Sequence, residues 1–381
     1  MKAPHVSFVV PCYKLAHLLP QCIDSILSQT YTDFEVLIMN DRSPDNTVEV
    51  AESFTDPRVI HILNDENLGN LRNYNKGIRI SRGKYVWLIS ADDYLRSPEV
   101  LARYVSLMDT EPRIGYTVCP GYSVTNGKEG EVIGRYGARD EIVDGHTFLT
   151  KLLDHNFVLA AAVMVRRECY ETISYFPLHS SWAGQKVDMS WLGDWYLWCV
   201  FAVSYDVGYF AEPMVCYRQH DLSMSNSITQ RDVVQDCADS DLGMLWIIRQ
   251  KAEKQSLPKI SQACLAAIAN EYRRQGASKY FRASVYSLEP EHFELSLCRS
   301  TNSITERRWI RARFYDGLAN KHMFSKEARS ARVFYWMSLR NDPRQIKIYG
   351  KLVLLFFGKF GSLARRLIFR MRQTETPFTA I

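Results

Sequence analysis

The sequence predicts an α/β fold, with a mostly parallel sheet flanked by helices and a helical extension behind it. Three observations predict it. Short apolar runs alternate with amphipathic helical patterns over the first ninety residues, the pattern turns helical and basic after about residue 230, and no apolar run approaches the ~20 residues of a membrane-spanning helix. We therefore expect a soluble protein, with a sheet domain at 1–230 and a helical basic domain at 231–381.

Hydrophobic periodicity justifies the first elements in order. The apolar run Val6–Val10 predicts a buried strand, and apolar side chains at helical spacing predict a helix at Leu18–Ser28. The elements predicted next are a strand at Phe34–Met39, a short helix ending at Phe54, a strand at Arg58–Ile62, a helix at Asn70–Ile80 and a strand at Tyr85–Ser90. This alternation predicts a parallel, doubly wound sheet, in which ligands bind beyond the carboxyl ends of the strands.

The remaining elements are less regular. Residues 110–145 are rich in Gly and Tyr and predict strands and loops, and a helix then leads to an apolar strand at Leu159–Val165. Beyond residue 230 we expect helices. The segments Lys326–Leu339 and Ile346–Phe357, separated by Pro343, predict a helical hairpin.

Charge is divided unevenly along the chain. Residues 1–240 carry 21 Lys and Arg against 31 Asp and Glu, whereas residues 241–381 carry 26 against 11. The basic part favours a polyanionic partner, either a membrane or a nucleic acid. The nine cysteines show no paired spacing, which argues against a zinc site or a disulfide framework and favours reduced thiols in a cytoplasmic protein.

Two adjacent acids, Asp92 and Asp93, follow the predicted strand Tyr85–Ser90. Neighbouring carboxylates at a sheet edge repel each other unless they are well solvated or share a cation. Hard divalent ions such as Mg²⁺ or Mn²⁺ favour such oxygen ligands together with substrate phosphates. An acid pair alone is a weak signal, because most such pairs cap helices or face solvent.

A succession of short segments surrounds this acid pair. The segments are Val9–Tyr13, Asp24–Glu35, Asn40–Thr47, Asn67–Ile78, Gly83–Asp93, Trp191–Trp198 and Tyr217–Ser225. In this order they resemble the family 2 glycosyltransferases of the GT-A fold, which is a Rossmann-like sheet flanked by helices. The resemblance implies an inverting enzyme that moves a sugar from a nucleotide-sugar donor, with Mn²⁺ or Mg²⁺ as cofactor.

The resemblance also implies a donor site. Tyr13 would stack on the base, Asp41 would accept a hydrogen bond from uracil N3–H, and Arg218 would contact the diphosphate. Taken singly, Tyr13 suits a packed aromatic, Asp41 a turn cap and Arg72 a solvated helix charge about as well. The residues implied in donor binding are Pro11, Tyr13, Asp41, Arg72, Asp92, Arg218, Ser223 and Ser225.

The metal and the general base follow from the same resemblance. Asp93 would hold the metal and His220 would complete its coordination, although Ser90 stands where the family often has a first acid, which leaves the division of ligands between Asp92 and Asp93 open. Asp194 would act as the general base on the acceptor hydroxyl. The alternative for Asp194 is the N-cap of a helix over Trp195–Ala202.

The C-terminal segment Arg344–Arg372 contains eight Lys and Arg and no acid. Phe and Leu recur at helical spacing on one side, while basic residues such as Lys351 fall mostly elsewhere around the helix. This pattern predicts an in-plane helix on an anionic membrane surface. The alternative is a helix packed on its own domain with a solvated basic face.

We therefore expect a peripheral enzyme at the cytoplasmic face of the cell membrane, acting on a glycan or lipid-linked glycan in surface polysaccharide assembly, without a nucleic-acid partner. One alternative is a nucleic-acid-binding protein, favoured by the basic and aromatic stretch Arg307–Phe314. Another is a metal-dependent nucleotidyltransferase, which requires a glycine-rich first loop that Pro11–Lys14 does not provide. The donor sugar, the linkage and the oligomeric state stay open.

Overall fold

The computed structural model describes residues 3–182, 185–220, 231–275, 290–300 and 303–356. The chain forms two compact units. The N-terminal unit comprises Met1–His179 and Met189–Ser227, and the C-terminal unit comprises Ser180–Asp188 and Ile228–Ala380.

The chain contains short strands, most of which lie in the N-terminal unit. In chain order they are β1 (Val6–Cys12), β2 (Phe34–Asn40), β3 (Val59–Leu63), β4 (Tyr85–Leu88), β5 (Tyr94–Leu95), β6 (Ile114–Val118), β7 (Gly121–Thr125), β8 (Lys128–Ile133), β9 (Glu141–Val143), β10 (Met164–Arg166), β11 (His179–Trp182), β12 (Gln185–Asp188), β13 (Asp206–Tyr209) and β14 (Val215–Arg218).

Helices alternate with the first strands and make up nearly all of the described C-terminal unit. They are α1 (Leu19–Leu27), α2 (Thr47–Glu52), α3 (Asn70–Ile80), α4 (Val100–Thr110), α5 (Gly145–Leu152), α6 (Arg167–Ile173), α7 (Gly193–Ala202), α8 (Arg231–Lys254), α9 (Pro258–Gln275), α10 (Pro290–Ser300), α11 (Ile304–Phe324), α12 (Ala328–Asn341) and α13 (Ile346–Phe356).

The central sheet of the N-terminal unit has the strand order β3-β2-β1-β4-β10-β6-β13-β9. Strands β3, β2, β1 and β4 are parallel, while β10 runs antiparallel between β4 and β6, and β9 is antiparallel at the edge. A second sheet has the order β5-β14-β7-β8. The predicted α/β class with a mostly parallel sheet is confirmed.

Burial explains why the first strands are central. Every residue of β1 and of β2 is buried, as expected for parallel strands covered on both faces. Helix α3 lies close against β1, because a Cβ on Gly77 would come within 2.4 Å of a Val9 methyl group. This close approach fixes α3 over the strands whose carboxyl ends carry the predicted site.

The predicted strand Leu159–Val165 is wrong over most of its length. Ala160–Ala162 form a 3₁₀ turn, and strand β10 begins only at Met164. Side chains occupy the carbonyl groups that a strand ladder would use: Trp87 Nε1 donates to the Ala161 oxygen at 2.7 Å, and Tyr104 donates to the Ala162 oxygen at 3.0 Å. An apolar run alone does not reveal these partners.

The C-terminal unit contains the predicted helical hairpin, formed by α12 and α13. Ala331, Tyr335 and Leu339 of α12 share a buried core with Ile348 and Leu352 of α13. The predicted hairpin is therefore confirmed within the described residues. The predicted continuation of the basic helix beyond residue 356 lies outside them.

Lys351 is the exception to the predicted basic face. Its ammonium group lies 3.0 Å from Oδ1 of Asp316 and 3.0 Å from Oδ1 of Asn320, and its side chain is only 11% exposed. Lys351 therefore does not belong to the solvated basic face of the alternative interpretation, because the carboxylate of Asp316 on α11 draws it inward.

Two expectations about the whole chain concern membranes and cysteines. In the part of the chain that the structure describes, no helix combines the length and the apolar character that crossing a membrane requires. The eight cysteines described there are free thiols, and seven of them are buried.

Candidate active site

The carboxyl ends of β1, β2 and β4 lie side by side at one edge of the central sheet. Cys12 at the end of β1 is in register with Asn40 at the end of β2, and β4 pairs with the other side of β1. The segments that follow these strands carry Tyr13, Asp41 and Asp92. Parallel pairing thus brings three of the predicted site segments to the same edge.

Asp41 is buried and organises the loop before α3. Its Oδ1 accepts hydrogen bonds from Asn64 Nδ2 and from the Leu68 amide, both at 2.8 Å, and its Oδ2 accepts one from the Gly69 amide at 3.0 Å. Gly69 has a φ of 76°, a left-handed conformation that favours glycine. Because a carboxylate oxygen can accept two donors, Oδ2 keeps capacity for a ligand.

Asp93 is held by a strand far away in the sequence. Strand β5 pairs antiparallel with β14, and the Arg218 amide donates to Asp93 Oδ1 at 2.9 Å across 125 residues. Asp93 is only 4% exposed. Burial, followed by the charge of Asp92, raises the pKa of Asp93 well above its ordinary value. This carboxyl group therefore faces protein.

Asp92 has different partners from its neighbour. Its Oδ2 lies 2.9 Å from Nε2 of His220. Burial acts to raise the pKa of Asp92, but hydrogen bonds, led by the one from His220, outweigh burial and hold the pKa below its ordinary value. Oδ1 of Asp92 is buried, and no described residue donates a hydrogen bond to it. An oxygen of this kind is costly to bury unless a ligand binds it.

The Arg218 side chain contacts the loop that carries Asp92 and Asp93. Its guanidinium donates to the Asp92 carbonyl oxygen at 2.6 Å and to Oε1 of Gln21, and it lies 4.7 Å from the centre of the Tyr94 ring. Arg218 is 9% exposed. This geometry gives the Arg218 side chain a positioning role, and its contact with the diphosphate stays a prediction.

The residues expected to meet the base differ in exposure. Pro11 is buried within β1, whereas the Tyr13 ring is 41% exposed and Arg72 is exposed on α3. Lys14 has a φ of 59°, and its amide donates to Ser43 Oγ at 2.7 Å, which fixes the backbone after Tyr13. An exposed ring on a fixed backbone is available for stacking, and it is not the packed aromatic of the alternative interpretation.

Asp194 lies in the first turn of α7. The helix begins at Gly193 after the N-cap Leu192, so the interpretation of Asp194 as the N-cap is wrong. Asn156 Nδ2 lies 3.4 Å from Asp194 Oδ2. Burial raises the pKa of Asp194, and hydrogen bonds from the Trp195 amide and Asn156 offset only part of the rise. A raised pKa makes the carboxylate a stronger base.

Helix α3 connects Asp194 to the rest of the site. Asn70 Nδ2 donates to the Ser190 oxygen at 3.0 Å, and Leu71 packs so closely on α7 that a Cβ on Gly193 would lie 2.8 Å from it. Two other asparagines, Asn64 and Asn73, are joined at 2.9 Å next to Asp41. These α3 contacts are absent from the sequence predictions, although the polar motif Asn67–Ile78 was the available signal.

Tyr74 of α3 is a further residue that sequence reasoning missed. Burial raises its pKa, and four carboxylates raise it further, in decreasing order those of Asp92, Asp194, Asp41 and Asp93. The Tyr74 hydroxyl is therefore within electrostatic reach of all four predicted site acids. Its signal in the sequence was an aromatic residue inside an otherwise polar helical motif.

A divalent cation fits the residues at the acid loop. Among the described residues, no three His, Cys, Asp or Glu side chains form a complete metal-binding group. However, the partnerless Oδ1 of Asp92 and the adjacent His220 offer the donor types that Mn²⁺ accepts, with further positions left for phosphate and water. The predicted contacts of Ser223 and Ser225 lie outside the described residues.

Comparison with known proteins indicates the family of the sheet domain. Residues 7–173 match the family model described as Glycosyl transferase family 2. This part of the chain belongs to glycosyl transferase family 2. The resemblance drawn from the sequence is confirmed over these residues. The matched range contains Asp41, Asp92 and Asp93.

Several curated glycosyltransferases are similar over part of their length. The uncharacterized glycosyltransferase EpsJ of Bacillus subtilis is 38% identical over 96 residues, which is 25% of this chain and 28% of that protein. The hyaluronan synthase of Pasteurella multocida is 38% identical over 101 residues, 26% of this chain and 10% of that protein. Glycosyltransferase GlyA of Streptococcus pneumoniae is 27% identical over 241 residues, 59% and 32% of the two chains. The match spans less than a third of each relative.

Solved structures extend the likeness to the helical part of the chain. The crystal structure of S. aureus TarS 1-349 has a TM-score of 0.57 at 13% identity and covers 90% of this chain and 93% of that chain. The same protein in complex with UDP-GlcNAc has a TM-score of 0.59 at 14% identity, covering 87% and 90%. Together with the family match, this likeness confirms the GT-A fold and the helical C-terminal region.

Proposed function

We propose that this transferase is an inverting, metal-dependent enzyme that moves a sugar from a nucleoside diphosphate donor, with UDP-sugars preferred, to a hydroxyl of a glycan. One observation carries the proposal: parallel pairing of β1, β2 and β4 brings the segments with Tyr13, Asp41 and the acid pair Asp92 and Asp93 to one edge of the sheet, within the range that matches family 2. The binding of UDP-GlcNAc by the structurally similar TarS supports the choice of donor.

On the donor side, the exposed ring of Tyr13 stacks on the base, with Pro11 fixing the strand before it and Arg72 near the base or diphosphate. Asp41 uses the free capacity of Oδ2 to accept from the base edge. Asp92 and His220 are the residues that would hold the cation, since Asp92 has the partnerless oxygen and Asp93 is engaged with the Arg218 amide. This assignment replaces Asp93 as the expected ligand.

A cation held by Asp92 and His220 would supply positive charge to the departing diphosphate. The chain's own residues supply the rest. Asp92 and Asp93 stay in place because Arg218 ties the carbonyl of one and the carboxylate of the other to β14. Ser223 and Ser225 complete the diphosphate contacts in this proposal.

On the acceptor side, Asp194 takes the proton of the attacking hydroxyl onto its carboxylate. The hydroxyl oxygen forms the new bond to the anomeric carbon as the bond to the diphosphate oxygen breaks, and the electron pair leaves with the diphosphate. One displacement of this kind inverts the anomeric centre. The raised pKa of Asp194 favours the transfer, which in general contributes about 10²–10⁴ in rate.

For the acceptor and the location, we propose a lipid-linked oligosaccharide in surface polysaccharide assembly at the cytoplasmic face of the membrane. The names of relatives that make hyaluronan and chondroitin support a polysaccharide product. The basic C-terminal part supports a peripheral contact with anionic lipid.

The nucleic-acid alternative loses its main support. Within the stretch that suggested it, Arg311 pairs with Glu294 at 2.7 Å and Arg313 stacks on Trp309 at 3.4 Å from the ring centre. These cations are engaged inside the helical unit. The nucleotidyltransferase alternative is disfavoured by the family match.

A donor panel tests the proposal. The full chain is incubated with UDP-, GDP- and dTDP-sugars, with Mn²⁺ or with EDTA, and release of the nucleoside diphosphate is measured. We expect release from a UDP-sugar with Mn²⁺ and none with EDTA, and NMR of the product should show an inverted anomeric configuration. Absence of release from every donor contradicts the transfer, and full activity in EDTA contradicts the metal.

A further inference from the structure

The hairpin α12–α13 presents two apolar stripes to solvent. Apolar side chains that are single and scattered on a surface are normal, but aligned ones mark an interaction site. The α12 stripe is the apolar pair Val333 and Trp336 with Arg329 and Arg340 at its two ends, and the α13 stripe consists of Ile346, Tyr349, Gly350 and Val353. Both follow the spacing of three and four residues that puts side chains on one side of a helix.

The exposure of the stripes is large for such side chains. Trp336 is 51% and Val333 52% exposed on α12, while Ile346, Tyr349 and Val353 are 81%, 44% and 53% exposed on α13. The opposite sides of both helices are buried in their common core. Each helix is therefore apolar on its inner and its outer side, and only the inner side is covered within the described residues.

The hairpin is anchored, so its stripes keep their orientation. Lys351 is bound to Asp316 and Asn320 of α11 at 3.0 Å each, and Tyr335 donates to Asn320 at 2.8 Å. Ser338 also donates to the Ala312 oxygen at 2.6 Å. These contacts tie both helices of the hairpin to α11.

The charge around the stripes favours an anionic partner. Residues 328–356 contain six Lys and Arg and one acid, Asp342. Arg329 and Arg340 lie at the two ends of the α12 stripe and are exposed, and Lys347 is exposed next to Ile346. A second copy of this chain would bring like charges together, which disfavours self-association. An anionic surface is complementary.

We propose that the outer stripes of the α12–α13 hairpin form a contact surface for an anionic lipid bilayer, an inference that rests on the membrane location proposed above. Trp336 and Tyr349 occupy the headgroup level, where amphipathic aromatic rings concentrate. Val333, Ile346 and Val353 enter the edge of the acyl region, and the flanking arginines face lipid phosphates. The surface belongs to a folded hairpin and does not require the segment 357–381.

Sedimentation with vesicles tests the surface directly. The full chain is mixed with vesicles of phosphatidylcholine, or of phosphatidylcholine and phosphatidylglycerol in a two-to-one ratio. We expect binding to the anionic vesicles, a loss of about tenfold or more in Trp336→Ser/Tyr349→Ser, and about fivefold for Arg329→Ser or Arg340→Ser. Circular dichroism verifies that each variant is folded. The matched control is Leu295→Ser on α10, an apolar residue 57% exposed outside the stripes, which should bind as the unchanged chain does.

Several outcomes would overturn the inference. They are equal binding by the Trp336→Ser/Tyr349→Ser variant, complete loss of binding on deletion of 357–381 alone, and a stable dimer in light scattering that the same double variant dissociates. Vesicle binding needs no donor, and nucleotide release needs no vesicle. The vesicle assay therefore tests the contact surface, and the nucleotide-release assay tests the enzymatic proposal, independently of each other.

Discussion

Two buried charges, one in each unit of the chain, differ in their partners. In the C-terminal unit, the buried cation Lys351 has two oxygen partners, Asp316 and Asn320, and Asn320 also accepts from Tyr335. In the N-terminal unit, Oδ1 of Asp92 is buried without a donor among the described residues. A buried charge with a full set of partners holds a fold together, whereas one with an open position is prepared for a ligand.

Replacement of Asp194, the proposed base, tests the site in the N-terminal unit and should have the largest effect. In Asp194→Asn we expect turnover to fall by about 10²–10⁴, because the amide cannot take the acceptor proton, while donor affinity changes little. Kinetics of nucleotide release and equilibrium binding of the nucleotide measure the two quantities. The control is Asp24→Asn, an exposed acid on α1. Turnover at the unchanged rate in Asp194→Asn would remove the base assignment.

Removal of the Lys351–Asp316 ion pair tests the buried charge of the C-terminal unit. Lys351→Met leaves Asp316 buried and unpaired, so we expect the free energy of unfolding to fall by about 3 kcal/mol in a denaturant titration. The double variant Lys351→Met/Asp316→Leu should recover most of the loss, because no charge is left buried. If the double variant is as unstable as the single one, the pair is not a purely structural element.

Replacement of Asp92 and of Asp93 tests which of the two adjacent acids binds the metal. Asp92→Asn should weaken Mn²⁺-dependent nucleotide affinity by about 10–100-fold, whereas Asp93→Asn should have the smaller effect, since an amide oxygen can still accept from the Arg218 amide. Calorimetric titration of UDP with and without Mn²⁺ measures both. A larger loss of affinity in Asp93→Asn than in Asp92→Asn would favour Asp93 as the metal ligand.

The smallest expected effect concerns pH. Asn156 favours the ionised form of Asp194, so Asn156→Ala should raise the already elevated pKa of Asp194. Because the base acts only when deprotonated, the acidic limb of the kcat/KM profile should move to higher pH, with the rate at high pH nearly unchanged. An acidic limb that stays in place would show that Asn156 does not act on the base.

Local elements were predictable from periodicity. The helix Asn70–Ile80 has the predicted bounds, and the acids Asp92 and Asp93 follow β4 as expected. The run Leu159–Val165 misled the prediction, because distant tryptophan and tyrosine side chains occupy its carbonyl groups. Periodicity reports which side of a segment is apolar, but it does not report which partners its backbone meets.

The sequence by itself determined the α/β class, the family and the acids at the strand ends, since these depend on local pattern and on motif order. Only the tertiary structure decided which polar atoms of the site remain available to a ligand. Pairing of β5 with β14 joins Asp93 to Arg218 and Asp92 to His220, and packing on α11 turns Lys351 inward. The physical reason is that desolvation and hydrogen bonding act through contacts between segments distant in the chain, and a one-dimensional pattern does not contain those contacts.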